Sequence, residues 1–265
     1  MLKLLKYEWK ACARTCLPLY GVLILMSLIN RILYVIPQNS TFGFMLPAIS
    51  SMLYMCVMVA AFVVTAVILI QRFYKNLLGS EGYLMFTLPV TVSQHLLSKT
   101  IIAVVMIALS GIAALLSIGI LADMSFGDLF VDMIKGVAQS GGLLFGLELL
   151  VLAVLGIAGM ALFIYLCIAL GHLASRHRLL MSIVWYVVLS AALQVLLLLV
   201  MSVVMCAGNV VPESFVDLMR VRFNGITPEG AAHLMLRCCC VFALIGDAVY
   251  FLVTRWILVH KLNLE

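Results

Sequence analysis

Charged residues are scarce in this 265-residue chain, and their scarcity excludes most soluble folds. Asp, Glu, Lys and Arg make up 10% of the residues, hydrophobic residues make up 66%, and the mean hydropathy is +1.25. Soluble domains contain about 25% charged and about 45–50% apolar residues. The segments between the apolar stretches are too short for a water-soluble catalytic domain, so any soluble machinery has to come from another chain.

The common motifs for nucleotide and metal binding are also missing. The sequence has no Gly-x-x-x-x-Gly-Lys-Ser/Thr phosphate loop and no His-Glu-x-x-His zinc motif. Its eight cysteines include no Cys-x-x-Cys pair. We therefore expect no catalytic residue, metal or cofactor on this chain. The cysteines are expected to pack as small apolar side chains, and a disulfide from Cys206 to the run 238–240 is the alternative.

Six long apolar stretches dominate the chain. They cover residues 17–36, 44–70, 101–122, 142–170, 179–206 and 238–259. A helix needs about 20 apolar residues to cross the hydrocarbon core of a bilayer. Because lipid offers no hydrogen-bond partners, such stretches have to be helical. The sequence therefore predicts an all-α integral membrane protein, with one transmembrane domain of six spans over residues 1–265.

The basic residues are unequally distributed between the two sides of the predicted bundle. Of the 16 Lys and Arg residues, five lie on the side that also carries most of the acidic loop residues, and these are Arg31, Lys135, Arg220, Arg222 and Arg237. The others lie on the side of the two termini. Since Lys and Arg accumulate in cytoplasmic loops, we expect both termini to be cytoplasmic. The net charge of +5 reflects this asymmetry. The basic residues form no stripe of the kind that binds nucleic acid.

The segment before the first span has an amphipathic pattern. Its apolar residues recur at helical spacing and are Leu2, Leu5, Trp9, Cys12 and Cys16. Its basic residues fall mostly on the opposite face and are Lys3, Lys6, Lys10 and Arg14. This pattern predicts an interface helix over residues 1–16, lying in the cytoplasmic membrane surface. A plain basic tag before the first span is the simpler alternative.

The segment 207–237, before the last span, carries two helix-start signals. Pro212 fits the first turn of a helix, where its missing N–H is not needed. Thr227 fits an N-cap in front of Pro228. The sequence therefore predicts two short helices at the outer surface of the membrane.

Two carboxylates lie inside predicted spans. Glu148 is in the fourth span and Asp247 is near the middle of the sixth. A charge in the middle of a membrane costs at least about 2.5–3.5 kcal/mol, so such residues usually face a bundle interior or a cavity. Both are candidates for a transport pathway together with Gln194. The alternative is a structural polar contact of each acid with Gln194, a serine or a backbone carbonyl.

The fourth span also contains a surface of small residues: Gly156, Ala158, Gly159 and Ala161. Small side chains let helices approach closely in lipid. We expect this surface to serve packing within the bundle, and a seam between two chains is the alternative.

The cytoplasmic loop 71–99 is the most specific feature of the sequence. It is not a hydrophilic tether, because most residues from Tyr83 to Leu88 are apolar. Gly79 and Gly82 bracket Ser80-Glu81 in front of this run, and Pro89 ends it. Exposed apolar surface of this kind marks a membrane-interface segment or a site where a partner docks.

Two sequence motifs resemble one family of membrane proteins. The run Gly79–Pro89 (Gly-Ser-Glu-Gly-Tyr-Leu-Met-Phe-Thr-Leu-Pro) resembles the first cytoplasmic loop of the small type-2 ABC exporter permeases of Gram-positive bacteria. The segments Leu4–Lys10 and Leu17–Gly21 resemble the amino terminus of the same family. The layout of interface helix, six spans, inner loop and outer helices is also similar over the whole chain.

The resemblance implies a role for the loop. In that family the first inner loop holds a coupling helix that docks on a cytoplasmic ATPase dimer, and two permease chains pair as a homodimer or heterodimer. The coupling element would lie within residues 75–89 and include Leu77, Gly79, Ser80, Glu81, Gly82, Tyr83, Leu84, Phe86 and Pro89. ATP and Mg²⁺ would bind to the partner ATPase. The expected location is the bacterial plasma membrane.

The expected function is therefore that of a permease subunit, not an enzyme, which exports a peptide, a lipid or a hydrophobic drug-like molecule. A stand-alone secondary carrier or a membrane-bound substrate-binding component is the first alternative. A scaffold or sensor without transport activity is the second. The apolar inner loop favours the permease, since a stand-alone carrier needs no docking segment in the cytosol.

The expected topology can be tested by cysteine labelling in a variant without the native cysteines. Single cysteines at Ser40 or Ser214 should react with a membrane-impermeant reagent added from outside. A cysteine at Ser80 should react only after the membrane is opened. The reverse pattern would contradict the orientation derived from the Lys and Arg residues.

Overall fold

The protein is a set of long helices. The computed structural model describes residues 2–35, 41–75, 91–122, 131, 135–136, 142–173, 178–210 and 228–260. The long helices within these ranges are α1 (Leu2–Val35), α2 (Thr41–Phe73), α3 (Val92–Leu121), α4 (Gly142–Gly171), α5 (Arg178–Val210) and α6 (Pro228–His260). All six are long and apolar enough to cross a membrane, and the described ranges contain no strand. The predicted all-α protein with six spans is confirmed.

The first helix is longer than the predicted span. α1 contains 34 residues and continues through Pro18, which corresponds to about 51 Å at 1.5 Å per residue. The hydrocarbon core of a bilayer is only about 30 Å thick. Residues 2–35, which include most of the predicted interface helix (1–16) and of the predicted span (17–36), therefore form one continuous helix, unlike the separate surface helix that the sequence suggested. Pro18 lacks a backbone N–H, so α1 loses one hydrogen-bond donor there but continues on both sides of it.

The last helix also begins earlier than its predicted span. α6 starts at Pro228, as the helix-start signal predicted, and then continues to His260 without a break. Residues 228–237 are thus the first turns of α6 and not a separate short helix, because Ala-Ala-His-Leu-Met-Leu after Gly230 contains no helix breaker. The other predicted outer helix falls mostly on residues 211–227, which lie outside the described residues.

The chain divides into two compact units, residues 1–143 with 264–265 and residues 144–263. In the first unit, α1 packs against both α2 and α3. Tyr20 of α1 places its hydroxyl 3.1 Å from Oγ1 of Thr65 and donates to the backbone oxygen of Met106 at 3.1 Å. Nearer the other end of α1, Ser50 of α2 donates to Oδ1 of Asn30 at 2.7 Å. These pairs make α1 antiparallel to α2.

Polar contacts are thus a regular part of this three-helix core. Tyr20, Thr65 and Asn30 are all buried, and the Tyr54 hydroxyl lies 2.8 Å from Oγ of Ser117 between α2 and α3. In lipid, helices gain little from hiding apolar surface, so close packing and hydrogen bonds between helices supply much of the association energy. The buried polar residues therefore fix which faces of α1, α2 and α3 meet.

In the second unit, α4 and α6 run parallel. Glu148 of α4 meets Arg237 of α6 near their starts, and Leu166 and Ala169 of α4 pack with Ile257 near their ends. α5 returns antiparallel along α4. Its start lies against the end of α4, where the position a Cβ would take on Gly171 is filled by Ser182.

The hydrogen bonds of Tyr20 can be tested by removing its hydroxyl. Tyr20→Phe should lower the free energy of unfolding by about 0.5–1.5 kcal/mol, the usual worth of such bonds between membrane helices. Unfolding in mixed detergent micelles with increasing dodecyl sulfate measures it. Tyr34→Phe is the control, because Tyr34 is 51% exposed on the same helix. Equal effects of the two substitutions would contradict the assigned role of the Tyr20 hydroxyl.

Candidate functional site

A buried ion cluster joins the three helices of the first unit. Glu8 of α1 accepts a hydrogen bond from Nζ of Lys99 at 2.8 Å and another from Nη1 of Arg72 at 3.1 Å. Lys99 Nζ also lies 3.5 Å from the backbone oxygen of Arg72. One carboxylate therefore holds the start of α1 to the end of α2 and to the first turns of α3.

The burial of this cluster makes it energetically important. The side chains of Lys99 and Glu8 are only 4% and 9% exposed, and that of Arg72 is 28% exposed. Exposed ion pairs contribute little to stability. Breaking a buried pair by removing one partner typically costs about 3–5 kcal/mol, because the remaining charge is left without compensation. The Glu8–Lys99 pair is buried, so the larger cost is expected for it.

The cluster lies at both ends of the predicted coupling loop. Arg72 is the second residue of the loop 71–99 and Lys99 is its last, and both bind the same carboxylate. The predicted coupling residues themselves lie outside the described residues: Leu77, Gly79, Ser80, Glu81, Gly82, Tyr83, Leu84, Phe86 and Pro89. Their contacts stay a prediction, whereas the anchoring of the two ends of the loop is a property of the structure.

The basic residues of the amino-terminal segment share one flank of α1. Lys6, Lys10 and Arg14 are exposed, and with Trp9 they line a shallow depression of about 520 Å³. The side chain of Lys3 lies outside the described residues. On the opposite face, Cys12 and Cys16 are buried within the first unit. The face with the two cysteines packs inside the protein, whereas Trp9, predicted for the same face, lies beside the basic residues.

Glu148 of α4 is paired with two basic side chains of α6. It is in the second turn of α4, where it lies 2.6 Å from Nδ1 of His233 and accepts from Nε of Arg237 at 2.7 Å. The Cys240 thiol donates to the backbone oxygen of Glu148 at 3.8 Å, and the Phe145 ring packs edge-on against His233. This geometry favours the structural alternative for Glu148 over a place in a transport pathway.

Asp247 has a different environment. It lies at the middle of the candidate span Ala232–His260, and a Cβ added to Gly159 of α4 would overlap its carboxylate. No hydrogen bond or ion pair joins it to another residue in the described part of the chain. The suggested partner Gln194 is exposed on α5. The three candidate pathway residues are therefore not brought together, since Glu148 and Gly159 are separated by about 16 Å along α4.

The structure places no metal site among the described residues. No group of three or more His, Cys, Asp or Glu side chains is close enough there to hold a metal ion. Seven cysteines have free thiols, including all three of the run 238–240. The side chain of Cys206 lies outside the described residues.

Sequence reasoning missed the role of Glu8, although the sequence contains a signal for it. Glu8, Cys12, Cys16 and Tyr20 follow one another at spacings of four residues, and all four are buried. An acid on the small and apolar face of a helix, opposite its basic residues, indicates a cation on a neighbouring helix. Its partners are 64 and 91 residues away in the chain, so the sequence alone does not identify them.

Comparison of the chain with protein-family models, with curated proteins and with solved structures gives no match.

The Glu8 cluster can be tested by removing its central carboxylate. Glu8→Leu leaves Lys99 buried without a counter-charge and should lower the free energy of unfolding by about 3–5 kcal/mol. Adding Lys99→Met to Glu8→Leu should recover a large part of that loss, because no unpaired charge then remains in the buried pair.

Folded yield after detergent extraction and the unfolding midpoint measure this coupling. Lys10→Gln is the control, since Lys10 is exposed on the same helix. Additive losses in the double variant would show that Glu8 and Lys99 do not interact.

Proposed function

We propose that this chain is the permease subunit of an ATP-binding-cassette exporter. The observation that carries the proposal is that Arg72 and Lys99, at the two ends of the cytoplasmic loop 71–99, both bind Glu8. A loop that transmits a push needs ends that are firmly attached to the spans, because a slack loop would move without moving the helices. The resemblance of Gly79–Pro89 to the coupling loops of type-2 ABC exporter permeases supports the same function.

The proposed assembly needs two kinds of partner. Because the sequence has no phosphate loop, ATP and Mg²⁺ would be bound by a cytoplasmic ATPase dimer. A second permease chain, identical or homologous, would complete the membrane part in the bacterial plasma membrane, with both termini in the cytoplasm. A peptide, a lipid or a hydrophobic drug-like molecule is the proposed class of substrate, since the spans carry few charges.

A stand-alone secondary carrier is the second candidate, and Asp247 favours it. A carboxylate at mid-span without a described partner is the kind of group that binds a coupling ion or proton in such carriers. Against it, an ion-driven carrier needs no apolar docking loop. The two candidates differ in their energy source, so dependence on ATP separates them.

The docking function of the loop predicts a specific loss of association. Replacing Tyr83, Leu84 and Phe86 together by alanine should reduce co-purification of the proposed ATPase subunit by at least about tenfold, because aromatic anchors dominate interface energies. Membrane insertion should be unchanged, since no span is altered. Quantitative co-purification in mild detergent measures the association.

The matched control replaces three exposed apolar residues of α5, Leu196, Leu197 and Leu198, by alanine. This variant should retain the ATPase. Unchanged association of the loop variant would contradict docking through the loop, and the absence of any associated ATPase from the wild-type chain would contradict the permease proposal.

A further inference from the structure

Asp247 is the only charged residue in a large part of the second unit. Residues 149–171, 179–206 and 238–254 contain no other Asp or Glu and no Lys, Arg or His. The nearest basic residue of α6 is Arg255, two turns away. Arg237, further off, is bound to Glu148. No charge on α4, α5 or α6 is therefore placed to neutralise this carboxylate.

The carboxylate lies against α4 at Gly159, where the absence of a side chain leaves room for it. A methyl group on Gly159 would overlap Oδ1 of Asp247, whereas a methyl group on Gly156, one turn earlier, would meet nothing within 4 Å. The lack of a side chain at residue 159 therefore lets the acid approach the backbone of α4. The carboxylate therefore lies close to both α4 and α6.

Aromatic rings follow one turn away on both helices. Phe163 lies four residues after Gly159 on α4, and Tyr250 lies three residues after Asp247 on α6. Their ring centroids are 5.5 Å apart, and Tyr186 of α5 lies 5.6 Å from Phe163. Because α4 and α6 are parallel, this aromatic cluster and the carboxylate are neighbours along the same helix pair. Tyr186 is 42% exposed, so the cluster is not sealed.

A carboxylate beside aromatic rings suits one class of ligand. Ring faces attract cations, most strongly where water is scarce, and quaternary ammonium groups are recognised in this way. Ca²⁺ or Mg²⁺ would require about six oxygen ligands, and Asp247 supplies one carboxylate. A weakly hydrated organic cation with an apolar body needs only one compensating charge and apolar or aromatic surface around it.

We propose that Asp247, together with Phe163, Tyr186 and Tyr250, forms a binding site within the membrane for a lipophilic monovalent cation. The site narrows the substrate class of the proposed exporter to hydrophobic amines and quaternary ammonium compounds. Only this last step rests on the proposed function, because binding itself requires no ATPase.

Two ions of the same shape and opposite charge test the proposal on the purified chain in lipid nanodiscs. Tetraphenylphosphonium should bind saturably to the wild type, above its partition into empty nanodiscs. Tetraphenylborate should show no saturable binding. Asp247→Asn, which keeps the shape of the side chain, should weaken phosphonium binding on the order of tenfold or more.

The glycines of α4 provide a matched pair of variants. Gly159→Ala should weaken phosphonium binding, because the methyl group displaces the carboxylate, and Gly156→Ala should leave it unchanged. Tyr186→Leu should weaken binding several-fold and Tyr186→Phe should not, since the ring and not the hydroxyl meets the cation.

Non-saturable phosphonium uptake by the wild type, equal binding of the two ions, or unchanged affinity in Asp247→Asn would each overturn the site. The comparison of the two ions uses the wild type alone, so it decides even where a variant folds poorly. Saturable phosphonium binding to a chain that associates with no ATPase would overturn the permease proposal and leave this site standing. An intact complex of the chain with its ATPase that shows no saturable phosphonium binding would overturn the site and leave the permease proposal standing.

Discussion

The buried carboxylate of Glu8 is the contact on which the arrangement of the first three helices depends. It lies at the start of α1, and its two cations come from the end of α2 and the start of α3. Close packing and hydrogen bonds between helices supply much of the association energy in lipid. Further along α1, Tyr20 and Asn30 also join α1 to α2, through neutral hydrogen bonds. Removing one partner of the charged contact is expected to cost more than removing one of the neutral bonds, because Lys99 is only 4% exposed and would be left buried without a counter-charge.

The second unit contains one acid that is paired and one that has no described partner. Glu148 near the start of α4 is fully paired with His233 and Arg237, so it holds α4 and α6 together as Glu8 holds the first unit. Asp247, deeper in the span, lies against Gly159 without a described partner. Two acids on the same pair of helices thus have opposite environments. The paired acid explains the packing of the helices, and the unpaired acid is the one available to a ligand.

The sequence predicted the number and placement of the spans because apolar length is a local property that a bilayer translates directly into helices. It predicted less well where α1 and α6 begin. For α1 the reason is that the amphipathic pattern of residues 1–16 fits a helix on a membrane surface and a helix packed against protein equally well. It placed Asp247 at mid-span correctly and suggested Gln194 as its partner, but Gln194 is exposed. The contacts of Asp247 with Gly159 and of Glu8 with Arg72 and Lys99 depend on the register between helices, which no local pattern encodes.

The proposed function requires that this chain move a substrate with energy from ATP hydrolysed on a separate subunit. The most direct measurement is transport by the purified chain and its ATPase, reconstituted together in sealed proteoliposomes, with a fluorescent lipophilic cation as the reporter. A permease of this kind should give movement that requires ATP and both proteins, that stops with vanadate, and that persists when ionophores abolish ion gradients. Movement by the chain alone that follows an ion gradient and ignores ATP would contradict it.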